Sequence, residues 1–161
     1  MTKKRIIIGI SDARVSCDPT DVLATFSLGS CIGVCLYDPA VHIGGMLHYQ
    51  LPYSSMDMER AKKEPLMFAD SGMAMLMNKM LSMGANKKRM QVKVAGGASM
   101  ETGPKGFDIG KRNYLAIKKI LWQNGMLLDC EDIGGTSARN LYMNISNGTV
   151  TVRSNGFEKN L

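Results

Sequence analysis

Cys31 and His48 are the two side chains whose types and spacing could do chemistry together. Cys31 follows Gly29-Ser30 directly. The chain then reads as a strand over 31–37, turn chemistry at Asp38-Pro39-Ala40, and a return strand over 43–50 that Pro52 ends. A turn centred on Pro39-Ala40 sets Cys31 opposite His48. Directly opposed residues share a face, with Cβ atoms roughly 4.5–5.5 Å apart. An imidazole at that distance can take the thiol proton and return it to a leaving group. The corner also leaves the backbone N–H groups of Ser30 and Cys31 as candidates for binding a developing oxyanion. A third group should orient the ring; Thr25, Ser27 and Ser30 stand near, and spacing does not choose among them. Register carries all of this, because a one-residue slip would send His48 to the other face. The competing reading is ordinary packing around a buried, inert thiol.

The remaining cysteines, Cys17, Cys35 and Cys130, match no redox or zinc spacing. Cys31 and Cys35 on one strand would be roughly 13 Å apart, too far to share a metal. Cys35 reads as a core thiol. His42 sits by the turn and reads as exposed. No metal site is expected.

The 161 residues are expected to form a single domain over 1–161, with a loose tail from 154. The net charge is +6, but the basic pairs (Lys62-Lys63, Lys87-Lys88-Arg89, Lys111-Arg112, Lys118-Lys119) are scattered. Few aromatics stand near them, so nucleic-acid binding is not expected. No apolar run is long enough to cross a membrane, and the N-terminus lacks a signal-peptide pattern. A cytoplasmic location, a monomer and free thiols are expected.

The elements that must position the pair follow from pattern. Strands are expected at 5–9, 22–28, 90–95, 126–132, 139–146 and 149–153, besides the two around the turn; 11–21 and 54–64 read as loops. The last two strands form a hairpin at Asn147-Gly148. Helices are expected over 66–83, ending at Gly84, and 109–124, ending at Gly125. The second faces inward with Tyr114, Ile117, Leu121 and Trp122. The methionines of the first read as a plastic core face. The fold class is α+β, with mostly antiparallel or mixed sheets packed with two substantial helices.

Five stretches occur in order: Leu28-Gly29-Ser30-Cys31; His48-Tyr49-Gln50-Leu51-Pro52; Gly96-Gly97-Ala98 with Met100; Ile109-Gly110 with Arg112-Asn113; and Asp132-Ile133-Gly134-Gly135 with Arg139. Together they resemble the CheD family, the chemoreceptor glutamine deamidases of chemotaxis. The resemblance implies an α/β sandwich. It implies hydrolysis of receptor glutamine side chains to glutamate and ammonia, with methyl-ester removal as a secondary activity. It places the catalytic roles on Cys31, His48 and Thr25, and it requires no cofactor. It also implies a CheC-type phosphatase as a second partner, so a weakly catalytic adaptor is the alternative function. Gly96, Gly97 and Phe107 are candidates for a substrate rim.

Overall fold

The computed structural model describes residues 2–99 and 108–161. Among these residues, ten strands and three helices run in the order β1 (Lys4–Ile8), β2 (Asp12–Ser16), β3 (Asp21–Leu28), β4 (Ile32–Asp38), β5 (Ile43–Tyr49), α1 (Met58–Lys63), α2 (Ala69–Ser82), β6 (Gln91–Gly96), α3 (Ile109–Gln123), β7 (Cys130–Ile133), β8 (Arg139–Asn144), β9 (Val150–Ser154) and β10 (Phe157–Asn160). They build two five-stranded sheets, β1-β3-β8-β9-β10 and β2-β5-β4-β6-β7. The pairs β1–β3 and β6–β7 are parallel and the other six antiparallel. The fold is therefore α+β with mixed, mainly antiparallel sheets.

The central strands β4 and β5 are buried along their whole length. One face, with Ile32, Val34, Leu36, Leu47 and Tyr49, packs on Met73, Leu76 and Met80 of α2 and Ile117 and Leu121 of α3. The other face, with Cys35 and Met46, packs on Leu23, Leu141, Met143 and Val152 of the second sheet. Three layers result: helices, central sheet, outer sheet. A strand covered on both faces must be apolar throughout, which is why β4 and β5 show no polar alternation. The outer sheet is covered on one face only, so β8 alternates buried with half-buried residues.

Several expectations need correction. The stretch expected as a loop at 11–21 contains β2, the edge strand beside β5. Only Ala13 and Val15 mark it as a strand, and both pack against the helical side. The polar stretch at 54–64 holds the six-residue α1, capped by Asp57, whose side chain accepts from the Arg60 N–H. The tail is not loose: β9 and β10 form a hairpin around Asn155-Gly156, both at positive φ (48° and 78°). All four residues of β10 are exposed and only Phe157 is apolar, so the turn dipeptide was the available signal. Trp122 points outward, 80% exposed. α2 begins at Ala69, after a 3-10 turn at Pro65–Met67. Its Met73, Met77 and Met80 are core residues, as expected.

Candidate active site

β3 carries the first group. A bulge falls between Thr25 and Leu28, where Ser27 takes a positive φ of 59°. Thr25, just before the bulge, points into the space between the sheets and is fully buried. Its Oγ1 lies 2.7 Å from the Ile8 carbonyl of β1 and 2.7 Å from His48 Nδ1 of β5. A hydroxyl has one proton, and a carbonyl can only accept. The proton therefore goes to Ile8, and His48 Nδ1 must be the donor to Thr25. This fixes the tautomer and leaves the lone pair on Nε2.

His48 is 3% exposed, and its Nε2 is buried with no partner among the described residues. Burial lowers its pKa to about 4, so the resting ring is neutral at pH 7. Cys31 is half-buried at the corner before β4 and packs against the cluster between the sheets. Burial raises its pKa to about 11, while its own backbone N–H pulls the other way. Thiol and imidazole both rest uncharged.

The expected register is corrected here. β4 and β5 pair Asp38 with Ile43, and so Gly33, not Cys31, lies opposite His48. The loop spans Pro39–His42, longer than a turn tight on Pro39-Ala40. The shift is by two positions on the same strand, so the faces are unchanged. Cys31 lies diagonal to His48, and Gly33 offers no side chain between their positions. A Cβ at Gly33 would run into Leu141 and Leu28 at 2.7 and 3.0 Å.

The corner itself is held from below. Three successive carbonyls are each taken by a donor: Gly29 by the Ala98 N–H (2.9 Å), Ser30 by Asn113 Nδ2 (2.9 Å), and Cys31 by the Gly97 N–H (2.9 Å). A trans peptide keeps its N–H opposite its C=O. Holding the Gly29 and Ser30 carbonyls thus fixes the directions of the Ser30 and Cys31 N–H groups. Gly96 and Gly97 are buried in this contact, at φ 118° and 65°. They back the corner instead of forming a rim, because the carbonyl of Cys31 occupies the space a side chain at Gly96 would need. Phe107 lies outside the described residues.

Two buried polar residues had no role assigned from the sequence. Asn113 stands on the inward stripe of α3 with Ile117, where a polar residue is itself a signal. Arg139 donates to Asp132 (3.1 Å), the Gly134 carbonyl (2.8 Å) and the Gly96 carbonyl (3.2 Å), tying the loop after β7 to the end of β6. Cys35 is 2% exposed, with its pKa pushed up to about 12 by burial, and is a core thiol. His42 is exposed and bonds the Tyr37 hydroxyl at 2.8 Å, away from the pair. Among the described residues, no group of three or more His, Cys, Asp or Glu could hold a metal ion.

A family model described as CheD chemotactic sensory transduction matches residues 50–154. A protein of Solibacter usitatus named probable chemoreceptor glutamine deamidase CheD is 49% identical over 98% of this chain and 94% of its own. A Syntrophus aciditrophicus protein, probable chemoreceptor glutamine deamidase CheD 1, is 47% identical over 94% of each chain. One from Caldanaerobacter subterraneus with the former name is 38% identical over 97% of this chain and 96% of its own. The family-model match begins two residues after His48, whereas these full-length relatives span the Thr25–His48 region as well. On this identity and coverage, the chain belongs to the CheD family.

Proposed function

We propose that the protein hydrolyses the side-chain amide of glutamines in chemoreceptors, giving glutamate and ammonia, with Cys31 as nucleophile. The names of the full-length relatives support the substrate class. The observation that carries the chemistry is the Thr25–His48 hydrogen bond, which presents a neutral ring with its Nε2 lone pair free.

Cys31 Sγ attacks the carboxamide carbon as its proton passes to His48 Nε2. Proton transfer accompanies attack, because a thiol with a pKa of about 11 is not a standing thiolate at pH 7. The carbonyl π electrons move to oxygen, and the Cys31 N–H, assisted by that of Ser30, binds the oxyanion. When the C–N bond breaks, Nε2 gives its proton to the departing nitrogen, and ammonia leaves. A thioester remains on Cys31. Nε2 then takes a proton from water, hydroxide adds to the thioester carbon, and the C–S bond breaks. The product is the glutamate side chain, and the proton returns to sulfur. Thr25 holds the ring in one tautomer throughout and accepts from Nδ1–H when the ring is positive.

No helix among the described residues is long and apolar enough to cross a membrane. The location that goes with the substrate is the cytoplasm, where the protein meets the cytoplasmic parts of receptors. Holding a CheC-type phosphatase is a separable property that would need neither His48 nor Thr25; a pull-down with the Cys31→Ala protein tests it.

The test is incubation with receptor cytoplasmic fragments, followed by peptide mass mapping of glutamine-to-glutamate conversion. Wild-type protein is expected to convert specific sites and Cys31→Ala none. Identical maps from the two proteins would falsify the proposal.

A further inference from the structure

Asn113 is 0% exposed, yet it carries a polar side chain whose Oδ1 has no partner among the described residues. Leaving a buried acceptor unpaired costs stability, so the position is explained by what the other end of the amide does. Nδ2 donates to the Ser30 carbonyl at 2.9 Å and to the Gln50 carbonyl at 2.8 Å. Two acceptors fix the orientation of the amide, because a flipped group would set Oδ1 against both carbonyls.

The side chain is anchored from its own backbone. The Tyr49 hydroxyl donates to the Asn113 carbonyl at 2.6 Å. One turn earlier, Gly110 comes so close to the carbonyls of Gly97 and Ala98 that a Cβ would lie 2.7 Å from the Gly97 oxygen. The first turns of α3 are thereby seated on the segment that also holds the corner. Of the three pinned carbonyls at 29–31, Gly29 and Cys31 are held by backbone donors, which no substitution other than proline removes. Ser30 is held by a side chain. Its carbonyl belongs to the same peptide plane as the Cys31 N–H.

We propose that Asn113 is a positioning residue for the deamidation: by holding the Ser30 carbonyl, it aims the Cys31 N–H at the oxyanion formed when Cys31 attacks the glutamine amide. This rests on the reading of Cys31 as nucleophile. Asn113 touches neither the substrate nor the sulfur; it acts through the Ser30–Cys31 peptide. Its bond to the Gln50 carbonyl ties the same amide to the chain just past β5, so the donor is held relative to the His48 strand.

The experiment uses the full chain with Asn113→Ala and Asn113→Ser, neither of which reaches the Ser30 carbonyl as the amide does. Two rates are measured per titrated Cys31 thiol, with a thermal melt to count folded protein. One is receptor-fragment deamidation, which forms an oxyanion. The other is alkylation by iodoacetamide, which displaces iodide at a saturated carbon and forms none. Turnover kcat is expected to fall about 30- to 100-fold with KM within about threefold, since loss of one oxyanion donor costs at least that order. Alkylation is expected to stay within about threefold. If both rates fall together, Asn113 is merely structural; if kcat is unchanged, the Ser30 carbonyl needs no side-chain hold. Either result overturns the proposal. A wild-type protein that alkylates but never deamidates sinks the functional reading instead, and this inference with it. If the alanine variant does not fold, the serine variant is read in its place.

Discussion

Thr25 Oγ1 lies 2.7 Å from His48 Nδ1 and 2.7 Å from the Ile8 carbonyl, and these two contacts together place the proton of the neutral His48 ring on Nδ1 and leave Nε2 without one. The relation links the two sheets at one point: Ile8 and Thr25 belong to the outer sheet, His48 to the central one. Its first consequence concerns substitution. Thr25→Val removes the acceptor for Nδ1–H while keeping the shape, and kcat for deamidation should drop about 10- to 100-fold, the worth of a hydrogen bond to a group that becomes charged. Thr25→Ser keeps the acceptor and should retain most of the rate. Full rate in Thr25→Val with a loss in Thr25→Ser would show that the methyl group matters and the hydroxyl does not.

Cys31 should behave as a buried thiol. With a pKa of about 11, its alkylation rate should rise about tenfold per unit from pH 7 to pH 10 without levelling. Fragment-ion sequencing of the labelled peptide separates Cys31 from Cys35, four residues further on. A plateau below pH 8 would mean a standing thiolate–imidazolium pair and a different first step.

His48 links the site to acid stability. Its pKa falls from 6.5 to about 4 on burial, so below 6.5 the unfolded chain binds a proton that the folded protein refuses. The associated stability is fully present above pH 6.5 and is lost as pH falls through about 4. The loss amounts to roughly 3 kcal/mol at most. In His48→Gln, the denaturant midpoint should decline less between pH 6.5 and pH 4 than in wild type. Parallel declines would show that the ring is not buried neutral.

Gly96→Ala should disturb the corner from behind. Gly96 has φ 118°, a region side chains rarely adopt, and a Cβ there meets the Cys31 carbonyl. Left-handed strain alone costs about 1–3 kcal/mol, which lowers Tm by roughly 3–10 °C in a chain of this size. Activity should fall as well, because the carbonyl that Gly97 holds must move. A variant with wild-type Tm and rate would show that the corner is not held from this side.

The corner, the thiol and the imidazole were legible in the sequence because each leaves a local mark: Gly29-Ser30 breaks a strand, and β5 continues through His48. The exact pairing was not legible. Loop closure at 39–42 depends on backbone geometry that turn residues alone do not specify, and the pairing came out two positions away. The face survived because strands repeat every two residues. β2 and β10 were missed for a related reason. Both lie at sheet edges, where few apolar residues are needed.

By itself the sequence determined the family, the class of fold and the chemistry available, since those depend on residue types and short-range pattern. Only the tertiary structure decided which nitrogen of His48 carries the proton, because Ile8, Thr25 and His48 come from three strands in two sheets. It also decided that Gly96, Gly97 and Asn113 support the Gly29–Cys31 corner. Those contacts join residues more than sixty positions apart, and hydrogen bonds across such separations leave no periodicity to read.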